Sequence, residues 1–251
     1  MNTNYSVSII IPHLKDKKIL DECIKSIIEN TNNIKYEIIV VDNNCQDESI
    51  KYIKKTYSEV KIIESKYNRG YAGGCNMGAK NATGDFLLFL NNDTILTPNC
   101  VNELLNKINK NETIASVQPK IKNYFNQKLF DYAGASGGYI DYLGFPFARG
   151  RILNTIEQDN GQYDSEEKIF WASGTAFMTQ RKIFNQMEGF DESLFAHMEE
   201  IDYHWKCLLN GYEIYVNPQS LIYHKGGQTL AYGSYKKIYL NHRNSMILFL
   251  T

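Results

Sequence analysis

Short apolar runs alternate with helical patterns through the first 90 residues of the chain. Continuous β-branched or aliphatic runs at residues 7–11, 38–41, 60–63 and 86–90 predict buried strands. Apolar residues one helical turn apart predict amphipathic helices at residues 19–28 and 50–57. Strands that are apolar on both sides are typical of a parallel sheet covered on both faces. We therefore expect an α/β fold with ligands beyond the carboxyl ends of its strands.

The pattern changes after a predicted helix at residues 98–108. Glycine and aromatic residues crowd residues 124–150, where we expect irregular or hairpin structure. Further on we predict a strand at 169–179, a short helix from Arg181, a helix at 199–209 and a strand at 212–216. Because no repeat or linker-like segment interrupts the chain, we predict a single domain spanning residues 1–251.

Composition excludes several classes of protein. With 43% apolar and 22% charged residues, the chain has ample material for one sizeable core, which argues against disorder. The net charge of −1 provides no basic field of the kind that sequence-independent nucleic-acid binding needs. We expect no nucleic-acid partner.

Cysteine usage and hydropathy bear on location. The five cysteines are odd in number and at least 22 residues apart, which fits neither a disulfide framework nor a CxxC motif. The polar start leaves no room for a signal peptide, and no apolar run approaches the roughly 20 residues of a spanning helix. The sequence therefore predicts reduced thiols and a cytoplasmic location.

Polar residues follow the second and third predicted strands. Asp42 ends the second strand and is a candidate for ligand binding; an Asx turn or helix cap is the alternative. Residues 68–78 form a glycine-rich approach to a helix start, where free amides can face phosphate. No GxGxxG follows the first strand and no GxxxxGK[ST] occurs, which argues against dinucleotide-binding and P-loop proteins.

The fourth strand ends in Asn91, Asn92 and Asp93. Oxygen ligands of this kind suit Mg²⁺ or Mn²⁺ with substrate phosphates completing the coordination, and a simple turn is the alternative. His224, at the end of a strand-like segment, is either a ligand or an ordinary strand-end histidine.

Three acids, Glu199, Glu200 and Asp202, lie at a predicted helix start. Acids there interact favourably with the helix dipole, but they also suit general-base chemistry. Adjacent helical residues point about 100° apart, so we expect at most one of the three to aim at a single acceptor group.

In order and spacing, these residues resemble family 2 glycosyltransferases of the GT-A fold along nearly the whole chain. Bacterial rhamnosyltransferases that build O-antigen, capsule or cell-wall glycans are the members it resembles most. The resemblance rests on residues 8–12 and 40–43, Asp47, Ser49, residues 68–70, Gly73, Asn76, Gly78, residues 90–93, Gly174, residues 189–192 and 199–202, and His224.

The resemblance implies an inverting transfer from a nucleotide-diphosphate sugar to a hydroxyl of a glycan or lipid-linked acceptor. It favours dTDP-rhamnose over UDP sugars as the donor. Asp93, the last position of the family's DxD motif, and His224 would hold Mg²⁺ or Mn²⁺. Asn91 replaces the first Asp of that motif, which removes one negative charge from the metal site.

The resemblance also assigns the remaining site residues. Glu200 falls on the second acid of the family's acid pair, the catalytic base, with Glu in place of the usual Asp. Apart from the resemblance, we expect Trp171 and Gly174 to line the acceptor pocket, because they precede the acid helix and aromatic faces suit sugar rings; a core role for Trp171 is the alternative. The substrate-binding positions are Pro12 and Asp42 at the base, Asn68, Gly70 and Asn76 on the loop that closes over the donor, and Asn92 and Glu199.

By the same resemblance, residues 1–97 form the nucleotide-sugar-binding half and residues 98–233 the acceptor and catalytic half. Residues 234–251 read as a helix with one apolar and one basic face, and its apolar end predicts that the helix continues. This helix either rests on the inner face of the plasma membrane near a lipid-linked acceptor or belongs to the core.

Two other classes of function compete with this interpretation. The changes at Asn91 and Glu200 leave open a noncatalytic subunit that binds nucleotide sugars. A nucleotidyltransferase would need a basic, glycine-rich loop after the first strand, and no glycine precedes Gly70.

Overall fold

The computed structural model describes residues 5–153, 155–226 and 234–250. Its helices are α1 (Lys17–Asn30), α2 (Ser49–Thr56), α3 (Gly70–Lys80), α4 (Cys100–Ile108), α5 (Arg181–Gln186), α6 (Glu199–Leu209) and α7 (Tyr235–Leu250), with a 3₁₀ turn at Glu192–Leu194. Its strands are β1 (Ser6–His13), β2 (Lys35–Asp42), β3 (Lys61–Glu64), β4 (Phe86–Leu90), β5 (Thr94–Leu96), β6 (Ile114–Asn123), β7 (Gly138–Ile140), β8 (Pro146–Ala148), β9 (Arg151–Ile152), β10 (Thr155–Ile156), β11 (Glu167–Ile169), β12 (Ala176–Gln180) and β13 (Glu213–His224).

One central sheet organises the described residues. Its strand order is β11-β13-β6-β12-β4-β1-β2-β3, with β5 paired to β13. The strands β1 to β4 are mutually parallel where they pair, and β12 runs antiparallel between β4 and β6. Helices α1, α2 and α4 pack on one face, and α3, α5 and α6 on the other. The α/β prediction is confirmed.

The polar ends of the strands meet at one edge of this sheet. The register of β1 and β2 places His13 beside Asp42, while β1 also pairs with β4, which leads into Asn91. Helix α1 begins just beyond β1 because the Asp16 carboxylate accepts hydrogen bonds from the backbone N–H groups of Lys18 and Ile19.

The second half differs from the prediction in three places. The strand predicted at 169–179 is two strands, β11 and β12, separated by residues 170–175. The strand predicted at 212–216 continues to His224, with an irregularity between Asn217 and Leu221. The sequence pattern missed β6 because polar residues interrupt it. Gln118 and Lys120 are buried there, satisfied by hydrogen bonds to Gly134 and Ser173 and by an ion pair with Asp159.

The C-terminal helix α7 has the predicted position, and part of its basic side faces inward. Lys236 and Lys237 lie at the central cavity, and Arg243 donates to the carbonyls of Ser193 and Leu194. Lys236 and His242 are exposed, so the predicted contact of this helix with a lipid surface stays a prediction. The carbonyls that precede α6 need donors, and Arg243 supplies two of them. Apolar side chains of the helix are exposed as well: Tyr235, Ile238, Tyr239, Met246, Phe249 and Leu250.

Candidate active site

A cavity of about 270 Å³ lies at the carboxyl ends of β1, β2 and β4 and beside the start of α6. This is the place where an open α/β sheet collects ligands. The predicted site residues that line it are Pro12, Asn68, Gly70, Asn92, Asp93, Gly174, Glu199, Glu200 and His224. Residues from both halves of the chain therefore share one cavity.

Asp93 and His224 form a buried pair in this cavity. Asp93 Oδ1 lies 3.1 Å from His224 Nε2, and each side chain is about 5% exposed. The pairing of β5 with β13 explains the contact, because it sets His224 opposite Thr94, the residue after Asp93. A hydrogen bond from Lys225 N–H to the Asp93 carbonyl oxygen fastens the same corner.

His224 has a second acidic neighbour. Its Nδ1 lies 3.1 Å from Asp131 Oδ1, and the Asp131 side chain is buried. Burial alone would lower the pKa of His224, but the carboxylates of Asp93 and Asp131 outweigh it and raise the pKa to about 10. Without a cation, the imidazole is therefore held as an imidazolium between two carboxylates.

This pair fits a divalent cation. Two neighbouring ligands of an octahedral Mg²⁺ or Mn²⁺ ion with bonds of about 2.1 Å lie about 3.0 Å apart, close to the observed separation. Carboxylate and imidazole are both accepted by such ions, and the open cavity leaves room for phosphate oxygens. Asp93 and His224 would hold the ion, which would neutralise charge on a leaving diphosphate.

Two neighbouring acids at the start of α6 also face the cavity. Glu200 Oε1 accepts a long hydrogen bond of 3.4 Å from the Gly174 N–H. Among the described residues, neither Glu199 Oε2 nor Glu200 Oε2 has a hydrogen-bond partner, although both atoms are buried. Burial raises the pKa of both carboxyls, and in Glu199 the nearby Glu200 raises it further. Both glutamates thus present an oxygen to the cavity, and which of them reaches an acceptor hydroxyl stays a prediction.

Asp202, the third acid, is engaged elsewhere. Its Oδ2 lies 2.6 Å from Lys206 Nζ, one helical turn along α6, and the residue is not part of the cavity lining. This contact is the i,i+4 pairing that helices favour. Asp202 therefore pairs with a residue of its own helix and does not face the cavity.

The loop that leads into α3 is held against the cavity by its neighbours. Asn43 accepts from Arg69 N–H and donates to the Gly70 carbonyl, and Asn68 accepts from Gly70 N–H. Gly70 has φ +71°, and a Cβ there would lie 2.1 Å from the Phe195 carbonyl oxygen. Only glycine fits this close approach.

Three predicted site residues lie outside the cavity lining. Asp42 Oδ1 accepts from Cys45 N–H, which is the turn-capping alternative. The Asn76 side chain donates to the Phe190 carbonyl and accepts from the Phe190 N–H, which holds α3 against the segment before α6. Trp171 packs on Gly138, and its indole N–H donates to the Tyr139 carbonyl, which is the core alternative. Their predicted direct contacts with substrate lack support from the cavity lining.

The structure adds residues that sequence reasoning missed. His13, Asn43, Tyr71 and His197 line the cavity, and Asp131 stands behind it. Burial lowers the pKa of His13 to about 4, so its imidazole is neutral, and its Nδ1 lies 2.8 Å from Asn92 Nδ2. The position of His13 and Asn43 at strand ends could have identified both. No local signal marks Asp131.

Comparison with solved structures shows the fold class. The structure of GalNAc-T7 with UDP, GalNAc and Mn²⁺ superposes with a TM-score of 0.78 at 19% identity, over 98% of this chain and 48% of that chain. The chain therefore has the GT-A fold of glycosyltransferases.

Comparison of sequences then shows the family. The model of glycosyl transferase family 2 matches residues 8–187, and the chain belongs to that family. It is 23% identical to the O-antigen biosynthesis protein RfbC of Myxococcus xanthus over 229 residues, 90% of this chain but 18% of RfbC. It is 22% identical to an N-acetylglucosaminyl-diphospho-decaprenol L-rhamnosyltransferase of Mycobacterium tuberculosis, over 76% of this chain and 67% of that protein. The family predicted from the sequence is confirmed.

No helix in the described ranges is long and apolar enough to cross a membrane.

Proposed function

We propose that this domain transfers a sugar from a nucleotide-diphosphate donor to a hydroxyl of a glycan or lipid-linked saccharide, with inversion and with the aid of Mg²⁺ or Mn²⁺. One observation carries the proposal: a buried carboxylate–imidazole pair shares a single cavity with Glu200, whose Oε2 has no hydrogen-bond partner among the described residues. The carboxylate–imidazole pair suits a cation that binds the diphosphate of a leaving group, and the glutamate suits the proton of an attacking hydroxyl.

The residues divide the work as follows. The loop of Asn68 and Gly70 closes one side of the cavity over the donor, while Asp93 and His224 would hold the metal, which would supply positive charge beside the diphosphate. Glu200 accepts the proton of the acceptor hydroxyl as its oxygen bonds to the anomeric carbon. The bond from that carbon to the diphosphate oxygen breaks at the same time, and the nucleoside diphosphate leaves. A single displacement inverts that carbon. A Cβ on Gly174 would lie 3.5 Å from Glu200 Oε1, which is an ordinary van der Waals distance. Space beside Glu200 alone therefore does not require glycine at this position.

The domain organisation follows the same division. Residues 1–97 bind the nucleotide sugar and residues 98–233 supply the acceptor side and the base, with Asp93 and His224 joining the two halves at the metal. Residues 234–251 are a third, C-terminal part, in which α7 spans Tyr235–Leu250. Lys236 and Lys237 from α7 reach the cavity, so this helix also belongs to the site.

dTDP-rhamnose is our preferred donor. The rhamnosyltransferase and O-antigen relatives support this choice by their names, whereas the UDP-bound structural neighbour favours a UDP sugar. Incubation of the purified chain with dTDP-rhamnose and a panel of UDP sugars, with Mn²⁺ and with EDTA, tests the proposal. Release of nucleoside diphosphate from one donor, lost in EDTA and in Asp93→Ala, is expected. Tight binding of a donor that is never turned over, even with candidate acceptors, would instead identify a noncatalytic subunit.

We further propose a cytoplasmic protein that meets its lipid-linked acceptor at the membrane surface. The exposed apolar side of α7 continues onto the β7–β8 turn, where the Phe145 and Phe249 rings lie 5.9 Å apart. Aromatic and aliphatic side chains of this kind suit the interfacial layer of a bilayer. Flotation with liposomes is expected for the parent chain and reduced for a Tyr239→Ser, Met246→Ser variant. Absence of co-migration for the parent would contradict it.

A further inference from the structure

Asp131 contacts His224, one member of the buried Asp93–His224 pair. Its Oδ1 lies 3.1 Å from His224 Nδ1, on the side of the ring opposite the Nε2 atom that faces Asp93. Its other oxygen, Oδ2, accepts a hydrogen bond of 2.7 Å from the Ala133 N–H. Asp131 is 1% exposed and His224 is 4% exposed, so water does not compete for these contacts.

The fold holds Asp131 in this position. The Asp131 N–H donates to the Ile121 carbonyl on β6, and the Ile121 N–H donates to the Ala135 carbonyl. Strand β6 in turn pairs with β13, which sets Asn123 opposite His224. Both residues are therefore anchored to the same end of β6 by backbone hydrogen bonds.

A histidine binds a cation through one nitrogen, and the group bonded to its other nitrogen decides which one is free. A carboxylate at Nδ1 keeps a proton there, so that Nε2 is the nitrogen that gives up its proton and offers its lone pair when a cation binds; such partners are common behind metal-bound histidines. We propose that Asp131 is a positioning residue that fixes the ring orientation and tautomer of His224, so that Nε2 is presented beside Asp93 to the divalent cation. This inference rests on the metal site of the proposed function.

Asp131→Asn tests it with little change in shape. The Asp131 carboxylate accepts from the Ala133 N–H with one oxygen and places the other 3.1 Å from His224 Nδ1, whereas the amide has only one acceptor oxygen. If that oxygen stays on Ala133, the amide N–H₂ faces Nδ1 and forces the proton onto Nε2, where the cation should bind. If the amide turns over, Ala133 N–H loses its partner. Either arrangement weakens the cation site.

The measurement is the affinity for Mn²⁺ alone, followed by the electron paramagnetic resonance signal of the free ion. Asp131→Asn is expected to weaken Mn²⁺ binding about 10–100-fold. The control is Asp141→Asn. Asp141 also caps a turn, through Leu143 and Phe145, but it is exposed and outside the cavity lining, so Mn²⁺ affinity should not change. Thermal unfolding of each variant checks that the chain stays folded.

A double-mutant cycle separates orientation of His224 from a general structural role. In a His224→Ala background, Asp131→Asn should have no further effect on Mn²⁺ affinity, because the ring it positions is gone. Independent, additive losses would overturn the inference.

The other variants separate this inference from the function it rests on. If Asp93→Ala and His224→Ala weaken Mn²⁺ binding but Asp131→Asn does not, the inference fails and the proposed function stands. If neither Asp93→Ala nor His224→Ala changes Mn²⁺ affinity, the metal site itself is wrong and the inference falls with it.

Discussion

Two adjacent glutamates face the same cavity, and their neighbours distinguish them. Glu200 lies against the Gly174 N–H and keeps one oxygen without a partner, while Glu199 is the more deeply buried. A base needs an oxygen that an acceptor hydroxyl can reach. Glu200 meets that condition better, which agrees with its position as the second acid of the pair.

Glu200→Gln keeps the shape of the side chain and removes its basicity. We predict a loss of about 10²–10⁴-fold in kcat with nearly unchanged nucleotide affinity, since the base acts in the transition state. Steady-state kinetics and calorimetry with the donor nucleotide measure the two effects. Asp202→Asn is the matched control, because Asp202 is paired with Lys206 outside the cavity lining. Loss of activity in Asp202→Asn with an active Glu200→Gln would show that the assignment is off by half a helical turn.

The burial of Glu200 also predicts a pH dependence. Burial raises the pKa of this carboxyl above its usual 4.5. A base works only when ionised, so kcat should fall as the pH is lowered through this raised pKa, at a higher pH than for a solvent-exposed glutamate. A pH–rate profile tests this, and an acid limb at or below pH 4.5 would contradict it.

At the scale of elements, the sequence predicts the N-terminal half of the site better than the C-terminal half. Strands β1 to β4 are continuous apolar runs, so their ends, and with them Pro12 and Asp93, could be placed from local pattern alone. The contact between Asp93 and His224 could be inferred only through the family resemblance, because it depends on the pairing of β5 with β13. Asp131 reaches His224 because residues 129–135 fold back alongside β6 and bond to its backbone. The sequence pattern does not predict β6, because buried polar residues interrupt its apolar run.

Helix α7 stabilises the segment before α6 through Asn244 in addition to Arg243. Asn244 Nδ2 lies 2.8 Å from the Leu194 carbonyl oxygen, 2.9 Å from that of Ala196 and 2.6 Å from that of His197. The segment that precedes α6 contains residues with positive φ, including His197 and Met198, and needs such support.

Asn244→Ala removes this donor from the Ala196 and His197 carbonyls, while the Leu194 carbonyl keeps the Arg243 guanidinium. We predict a loss of about 1–3 kcal/mol in the free energy of unfolding, measured by urea denaturation. Asn241→Ala is the control, because among the residues that the structure describes the Asn241 amide donates within α7, to the Lys237 carbonyl. Equal losses in the free energy of unfolding for the two substitutions would mean that Asn244 gives the segment before α6 no specific stabilisation.

At the scale of the whole molecule, one sheet brings two halves of different chemistry to a single cavity. The first half ends its strands in amides and Asp93, and the second half contributes His224 and the acids of α6. The chain spans only 18% of RfbC and 48% of GalNAc-T7, so the activity of a full-length relative does not define the acceptor used here. Cavity chemistry, rather than fold alone, therefore supports the proposed reaction.

The central claim is that donor binding depends on a divalent cation held by Asp93 and His224. Calorimetric titration of dTDP and UDP into the parent chain, in Mn²⁺ and in EDTA, tests it most directly. We predict binding of at least one nucleotide that is much tighter in Mn²⁺ than in EDTA, and loss of that difference in Asp93→Ala, because the ion joins the protein carboxylate to the diphosphate. Equal affinity in Mn²⁺ and in EDTA would contradict the account.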